Sequence, residues 1–181
     1  LGGKYNRLAE LPVAKLRVSS EEVPFRWMTG TQSHESMAGT LAAIEHLAWL
    51  GRNISNDDLS RREALNVAFS AIEEHESELC WSMIQGLQEI DGVKIWGVTD
   101  PSMKKHRAPT VSFTHPSMTA EQIGAALAEE GIFAWAGNFY ALELSETLGL
   151  EPEGALRVGL LHYNTKDEVD RFIKVLSGIL G

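Results

Sequence analysis

The hydrophobic pattern first switches period at Asp91-Gly92, and that change limits what the chain can fold into. Before it, apolar residues recur at helical spacing; after it, alternating stretches appear, with helical ones between and after them. Within residues 33–50, Met37, Leu41, Ile44, Leu47 and Ala48 fall on one helical face. Ser33 suits the N-cap, Glu35 suits the positive helix end, and Gly51 is expected to close the helix. A second helix is expected over about residues 57–90. Leu65, Ala68, Ile72, Leu79, Met83 and Leu87 would form its buried stripe, and Arg61, Arg62, Glu63, Glu73, Glu74, Glu76 and Glu78 its polar face.

Beyond Gly92 the segment with Val93, Ile95 and Trp96 reads as a strand. Residues 109–113, 132–135 and 155–160 read as three more. A helix over residues 119–130 is expected from the Thr119 cap and the Gly131 stop. The last helix, over residues 166–180, turns Val169, Phe172, Ile173, Leu176 and Ile179 inward. Thr165 caps it, and Asp167 and Glu168 favour its start. Residues 1–30 read as irregular, with a possible short strand at residues 15–18 and Val23 kept extended by Pro24. This order gives the α/β class in its α+β layered form, with one sheet covered by helices.

Composition removes several functions. The chain has 181 residues, 44% of them hydrophobic, as expected of a soluble globular protein. No apolar run nears the roughly 18 residues of a membrane helix, and the longest, residues 37–50, is broken by Glu45 and His46. The net charge is −9 and the basic residues are scattered, so nucleic acid is not an expected partner. The single cysteine, Cys80, excludes an internal disulfide and a cysteine-based zinc site. The six histidines lack metal-ligand spacing, and no metal is expected. No charged start leads into an apolar stretch, and the expectation is a cytoplasmic protein.

Three local sequences carry a resemblance. One is Pro24-Phe25-Arg26-Trp27-Met28-Thr29-Gly30-Thr31-Gln32-Ser33-His34-Glu35. Another is Arg107-Ala108-Pro109-Thr110-Val111-Ser112-Phe113. The third begins Leu156-Arg157-Val158-Gly159-Leu160-Leu161-His162-Tyr163-Asn164-Thr165 and runs into an acidic helix start. Together, in this order, they resemble the class V aminotransferase and cysteine desulfurase-like group of fold-type I enzymes, which depend on pyridoxal 5'-phosphate. Gly-Thr alone is unspecific, the third motif is fairly specific, and the likeness spans nearly the whole chain.

The resemblance implies a C-terminal portion of such an enzyme. Residues 1–31 would be the tail of the large cofactor-binding domain, 32–90 the connecting helices at a domain or dimer interface, and 91–181 the small C-terminal α/β domain. Lys4 lacks the small-residue and histidine context of the family's Schiff-base lysine and reads as solvated. That lysine would lie outside this chain, and the chain alone would be inactive.

By the same resemblance, Arg157 matches the arginine that binds the substrate α-carboxylate. A planar guanidinium suits this task, because it makes two parallel charge-assisted hydrogen bonds. The alternative is a structural ion pair with one of the 25 acidic residues. Thr31 matches the threonine that reaches the cofactor phosphate of the neighbouring subunit, with Gly30 allowing close approach. This implies a homodimer with shared active sites; the alternative is an ordinary helix start. His34, beside Thr31, is a further candidate for approaching the cofactor.

The segment from Trp135 to Ala141 matches the loop that carries an arginine and a nucleophilic cysteine in cysteine desulfurases. Trp135 and Tyr140 stand at those two positions here. A tyrosine, with a pKa near 10, does not replace a thiolate, which argues against desulfurase activity. Asn138 and Tyr140 either line the substrate pocket or belong to a plain loop. Two other readings stay open: a non-catalytic dimerisation or interaction module of this fold, and an unrelated α/β enzyme.

Overall fold

Two threonines start two of the helices on which the sheet rests, each through a reciprocal cap. The Thr119 side chain accepts from the Gln122 amide while the Gln122 side chain accepts from that of Thr119, opening α4 (Ala120–Glu129). Thr165 and Glu168 repeat the arrangement at α6 (Lys166–Leu180). Each pair satisfies two amides that no helical carbonyl can reach. The computed structural model describes residues 3–181; the first two residues of the expected 1–31 segment lie outside it.

The chain divides into two units, Leu1–Ala64 and Leu65–Gly181. The first holds α1 (Tyr5–Glu10), a 3-10 turn at Phe25–Trp27, α2 (His34–Ser55) and the start of α3 (Arg61–Gln88). Side-chain donors tie its early segments together: Arg26 Nη1 donates to Ala9 O at 2.7 Å, and Trp27 Nε1 to Leu8 O at 3.0 Å. Residues 15–18, a possible strand by sequence, carry no strand pairing and end in a turn. Their apolar members have no neighbouring strand to meet, and Val18 is exposed.

Helix α2 does not stop at Gly51. It continues to Ser55, and Asn56, at φ 59°, takes the left-handed closing position instead. Gly51 has another reason to be glycine. A Cβ there would lie 1.8 Å from the backbone oxygen of Ala64, so the two helices touch backbone to backbone. Arg61 pairs with Glu45 at 2.5 Å on the same pair of helices.

The second unit is built on an antiparallel sheet in the order β1 (Lys94–Trp96), β2 (Thr110–Thr114), β4 (Ala155–Gly159), β3 (Trp135–Gly137). Alternation along the strands gives the sheet two faces. Val111, Phe113, Leu156 and Val158 are buried on one of them. They form a single core with Leu79, Cys80, Met83, Ile84 and Leu87 of α3, Ile123 and Leu127 of α4, and Val169, Phe172 and Leu176 of α6. The other face carries Trp96, Ser112, Arg157 and Trp135 in one cross-strand row.

The third strand sits later than the sequence suggested, at Trp135–Gly137 rather than residues 132–135. Ile132 and Ala134 pack against the core from the approach to the strand, and so imitate its alternation. A short helix absent from the sequence reading, α5 (Leu142–Thr147), follows β3.

Candidate active site

Arg157 is the centre of the open sheet face. It lies opposite Ser112 on β2 and Trp135 on β3. Its guanidinium carbon stands 4.3 Å from the centroid of the Phe139 ring and 5.8 Å from that of Trp135. Such stacking engages the face of the cation and leaves the in-plane N–H fork for an acceptor. Among the described residues no carboxylate lies within ion-pair distance of it. The structural ion pair weighed as the alternative is therefore not formed. A cleft of about 540 Å³ opens beside it, lined by Thr110, Phe133, Trp135 and Gly159.

The loop after β3 is held in costly backbone geometry. Phe139 and Tyr140 have φ of 58° and 62°, values that non-glycine residues seldom adopt. Asn138 fixes the turn: its Oδ1 accepts from Tyr140 N at 3.2 Å and its carbonyl from Ala141 N at 2.9 Å. Gly154, at φ 67°, lets the end of β3 come close, since a Cβ there would lie 2.3 Å from the Gly137 carbonyl carbon. The result puts Phe139 against Arg157. Tyr140 turns outward and is 99% exposed.

The Tyr-Asn-Thr turn after β4 is locked from several sides. Asn164 Oδ1 accepts from Leu161 N at 2.8 Å, and His75 Nε2 contacts Asn164 O at 2.9 Å. His162 packs edge-on against Tyr163. His75, unmarked in the sequence reading, is thus the histidine that meets Asn164. Among the described residues no group of His, Cys, Asp or Glu forms a metal site.

In the first unit, Gly30, Thr31 and His34 sit together at the start of the 22-residue α2, all exposed. The Ser33 side chain takes the Ser36 amide and its carbonyl the Met37 amide. The amides of His34 and Glu35 have no helical carbonyl to reach. A Cβ on Gly30 would meet nothing within 4 Å. Open amides, a nearby hydroxyl and an open approach fit a phosphate group. The carboxylate of Glu35, in the same turn, competes for that positive end.

Cys80 is buried on α3, with its thiol 3.8 Å from Ala108 O. Burial pushes the thiol up from its ordinary pKa, against the opposing effect of Arg107. It is kept protonated, the reverse of what a nucleophile needs.

An antiparallel sheet backed by helices on one face, with a free arginine in a cleft on the other, defines a layered α/β protein with a cationic site. The chain belongs to the class-V aminotransferase family, whose model matches residues 62–172. This family is pyridoxal-phosphate-dependent and acts on amino acids. The chain is 31% identical over 157 residues to the probable cysteine desulfurase 2 of Mycobacterium leprae, covering 87% of this chain and 32% of that protein. It is 37% identical over 116 residues to the aminotransferase-like protein FGM3 of Gibberella zeae, covering 62% and 28%. Among solved structures, the cysteine desulfurase of Thermococcus onnurineus NA1 superposes with a TM-score of 0.70 at 25% identity, covering 88% of this chain and 34% of that one. The chain spans about a third of the length of these relatives. The expected fold class, α/β of the fold-type I enzymes, is borne out. Among the described residues no helix is long and apolar enough to cross a membrane.

Proposed function

We propose that this chain is the C-terminal part of a cytoplasmic, homodimeric pyridoxal-phosphate enzyme acting on an amino acid, and that Arg157 holds the substrate α-carboxylate. In this reading residues 1–31 belong to the tail of the large domain, 32–90 connect, and 91–181 form the small domain. One observation carries it: a guanidinium in a cleft, stacked by Phe139, with no carboxylate of its own. A half-buried cation without a partner is costly, and a carboxylate ligand relieves that cost.

Gly30, Thr31 and the start of α2 would hold the cofactor phosphate of the partner subunit's site, with His34 close by. Pyridoxal phosphate, when bound, supplies the electron sink for breaking a bond at the substrate Cα. Arg157 orients the substrate for that step, Phe139 fixes the guanidinium, and Asn138 fixes Phe139 through its turn. Sulfur transfer is not part of this reading. Tyr140 stands where a thiolate is needed, and Cys80 is buried and protonated.

The test is Arg157→Gln and Arg157→Lys, with amino-acid affinity measured by calorimetry on the cofactor-loaded protein. Each charge-assisted bond contributes about 1.5–3 kcal/mol, so Arg157→Gln is expected to weaken binding by roughly 10- to 100-fold. Lysine restores charge without the fork and recovers part of the loss. Unchanged affinity in Arg157→Gln overturns the assignment.

A further inference from the structure

We propose that the cleft beside Arg157 is a slot for a flat side chain, and that the amino acid it selects is aromatic. This rests on Arg157 as the carboxylate anchor and adds the substrate class. Arg157, Trp135, Phe133, Thr110 and Gly159 all line this one cleft, so a single ligand held by the guanidinium lies within reach of the others. Its volume of about 540 Å³ falls within the range of small-ligand sites.

The floor of the slot is Gly159. It follows Arg157 by two residues on β4, on the same face, and Thr110 is its cross-strand partner. Glycine weakens a strand, and within one it often marks a bulge, or the close approach of another backbone or of a ligand. The first two reasons do not apply here. Gly159 pairs in regular register, and its φ is not positive. A Cβ would meet Thr110 Oγ1 at 3.6 Å and Pro109 O at 3.9 Å, both ordinary contacts. The residue is exposed, so its missing side chain leaves open space over the strand. Strands β2 and β3 flank β4 at one strand spacing each, which makes the gap between them about 10 Å.

One wall is aromatic and uncovered. Trp135 lies directly across from Arg157 and is 63% exposed. Phe133 is 88% exposed, although Ile132 and Ala134 on either side of it pack against the core. Among the described residues Arg157 has no carboxylate partner. Exposed rings beside such a cation match a ligand with a carboxylate at one end and an apolar body at the other. A flat ring fits best. It lies against the glycine backbone and meets Trp135 and Phe133 offset-stacked or edge-on, a gain that an aliphatic chain lacks. The side chain of alanine or cysteine offers no such surface to either ring.

The experiment titrates the 15N-labelled 181-residue chain with L-phenylalanine, L-leucine and L-alanine, followed by NMR. L-phenylalanine is expected to bind at least about ten-fold tighter than L-alanine and about 2- to 10-fold tighter than L-leucine, shifting the Trp135, Arg157 and Gly159 amides. Gly159→Val puts a branched side chain on the floor and is expected to bring L-phenylalanine down to the affinity of L-alanine. Valine suits a strand better than glycine, so the melting temperature of this variant is expected to hold or rise. A fall would mean that the fold itself requires glycine there, and would overturn the slot. Trp135→Ala, at an exposed position, is an independent arm, expected to cost L-phenylalanine about 2- to 10-fold relative to L-alanine. Equal affinity for L-phenylalanine and L-leucine, or a preference for L-phenylalanine that survives Gly159→Val or Trp135→Ala, overturns the proposal. Two further outcomes separate it from the reading it rests on. L-alanine binding that survives Arg157→Gln overturns the carboxylate anchor. L-alanine binding that depends on Arg157, with no preference for L-phenylalanine, overturns the slot alone.

Discussion

At the scale of single residues, position in a strand decides what a charge can do. Arg157 alternates with Leu156 and Val158, both buried, and so faces away from the core. Its neighbours there are rings, not carboxylates. Glu168 shows the opposite case, a charge fully used by local structure. Its carboxylate lies below the ordinary value of 4.5, first because the Thr165 amide donates to it and then because the Asn164 side chain does. A lowered folded-state value means stability that is present above the unfolded value and lost as pH falls through the folded one. Glu168→Gln is therefore expected to lower the melting temperature at pH 7, with the gap to the parent closing as pH drops below 4.5. Melting curves across that range check it; a gap that widens toward acid contradicts it. Arg157 and the Thr165 cap were legible in the sequence because each sits in a short local motif. Phe139 was not: its contact with Arg157 depends on a loop fold that brings it onto the same sheet face.

At the scale of elements, caps and periodicity carried the reading, and closely packed glycine misled it. The capped helices α4 and α6 lie within a residue or two of their expected bounds. Gly51 read as a helix stop because glycine commonly closes helices. Its real constraint is a backbone contact with Ala64, thirteen residues along the chain, which no local pattern reveals. The strand after α4 was misplaced for a similar reason, because Ile132 and Ala134 alternate without pairing. Two glycines of α2 test this account against each other. Alanine is favoured over glycine in a helix by about 1 kcal/mol. At Gly39, where a Cβ meets nothing within 4 Å, Gly39→Ala is expected to stabilise by about 0.5–1 kcal/mol. At Gly51 the Cβ would overlap the Ala64 oxygen at 1.8 Å. Overpacking costs about 1–3 kcal/mol, so Gly51→Ala is expected to destabilise despite its better propensity. Urea midpoints of the two variants should move in opposite directions; a shared direction would show that propensity alone governs α2.

At the scale of the whole molecule, the question is whether this chain can carry out catalysis by itself. The proposed reading needs a lysine held against the cofactor, and the lysines here are paired, exposed or half-buried. Lys15 pairs with Glu21 at 2.9 Å, Lys94 lies over the Trp96 ring at 3.7 Å, and Lys166 pairs with Asp170. Lys4 stands exposed at the start of α1, Lys105 and Lys174 are exposed as well, and Lys104 is half-buried in the turn over Pro101–His106. Among the described residues no lysine lines the cleft beside Arg157. In the proposed reading the chain holds a candidate carboxylate anchor and a candidate phosphate cradle, and the lysine lies outside it. It spans about a third of the length of its relatives. Given pyridoxal phosphate and a panel of amino acids, the 181-residue chain is expected to bind amino acids through Arg157 yet give no product above the cofactor-only background. Product formation is read by chromatography, and binding separately by calorimetry. Sustained turnover would mean that one of these surface lysines reaches the cofactor. Binding without turnover would assign the carboxylate contact to this chain and the proton transfer to the part of the enzyme that carries the lysine.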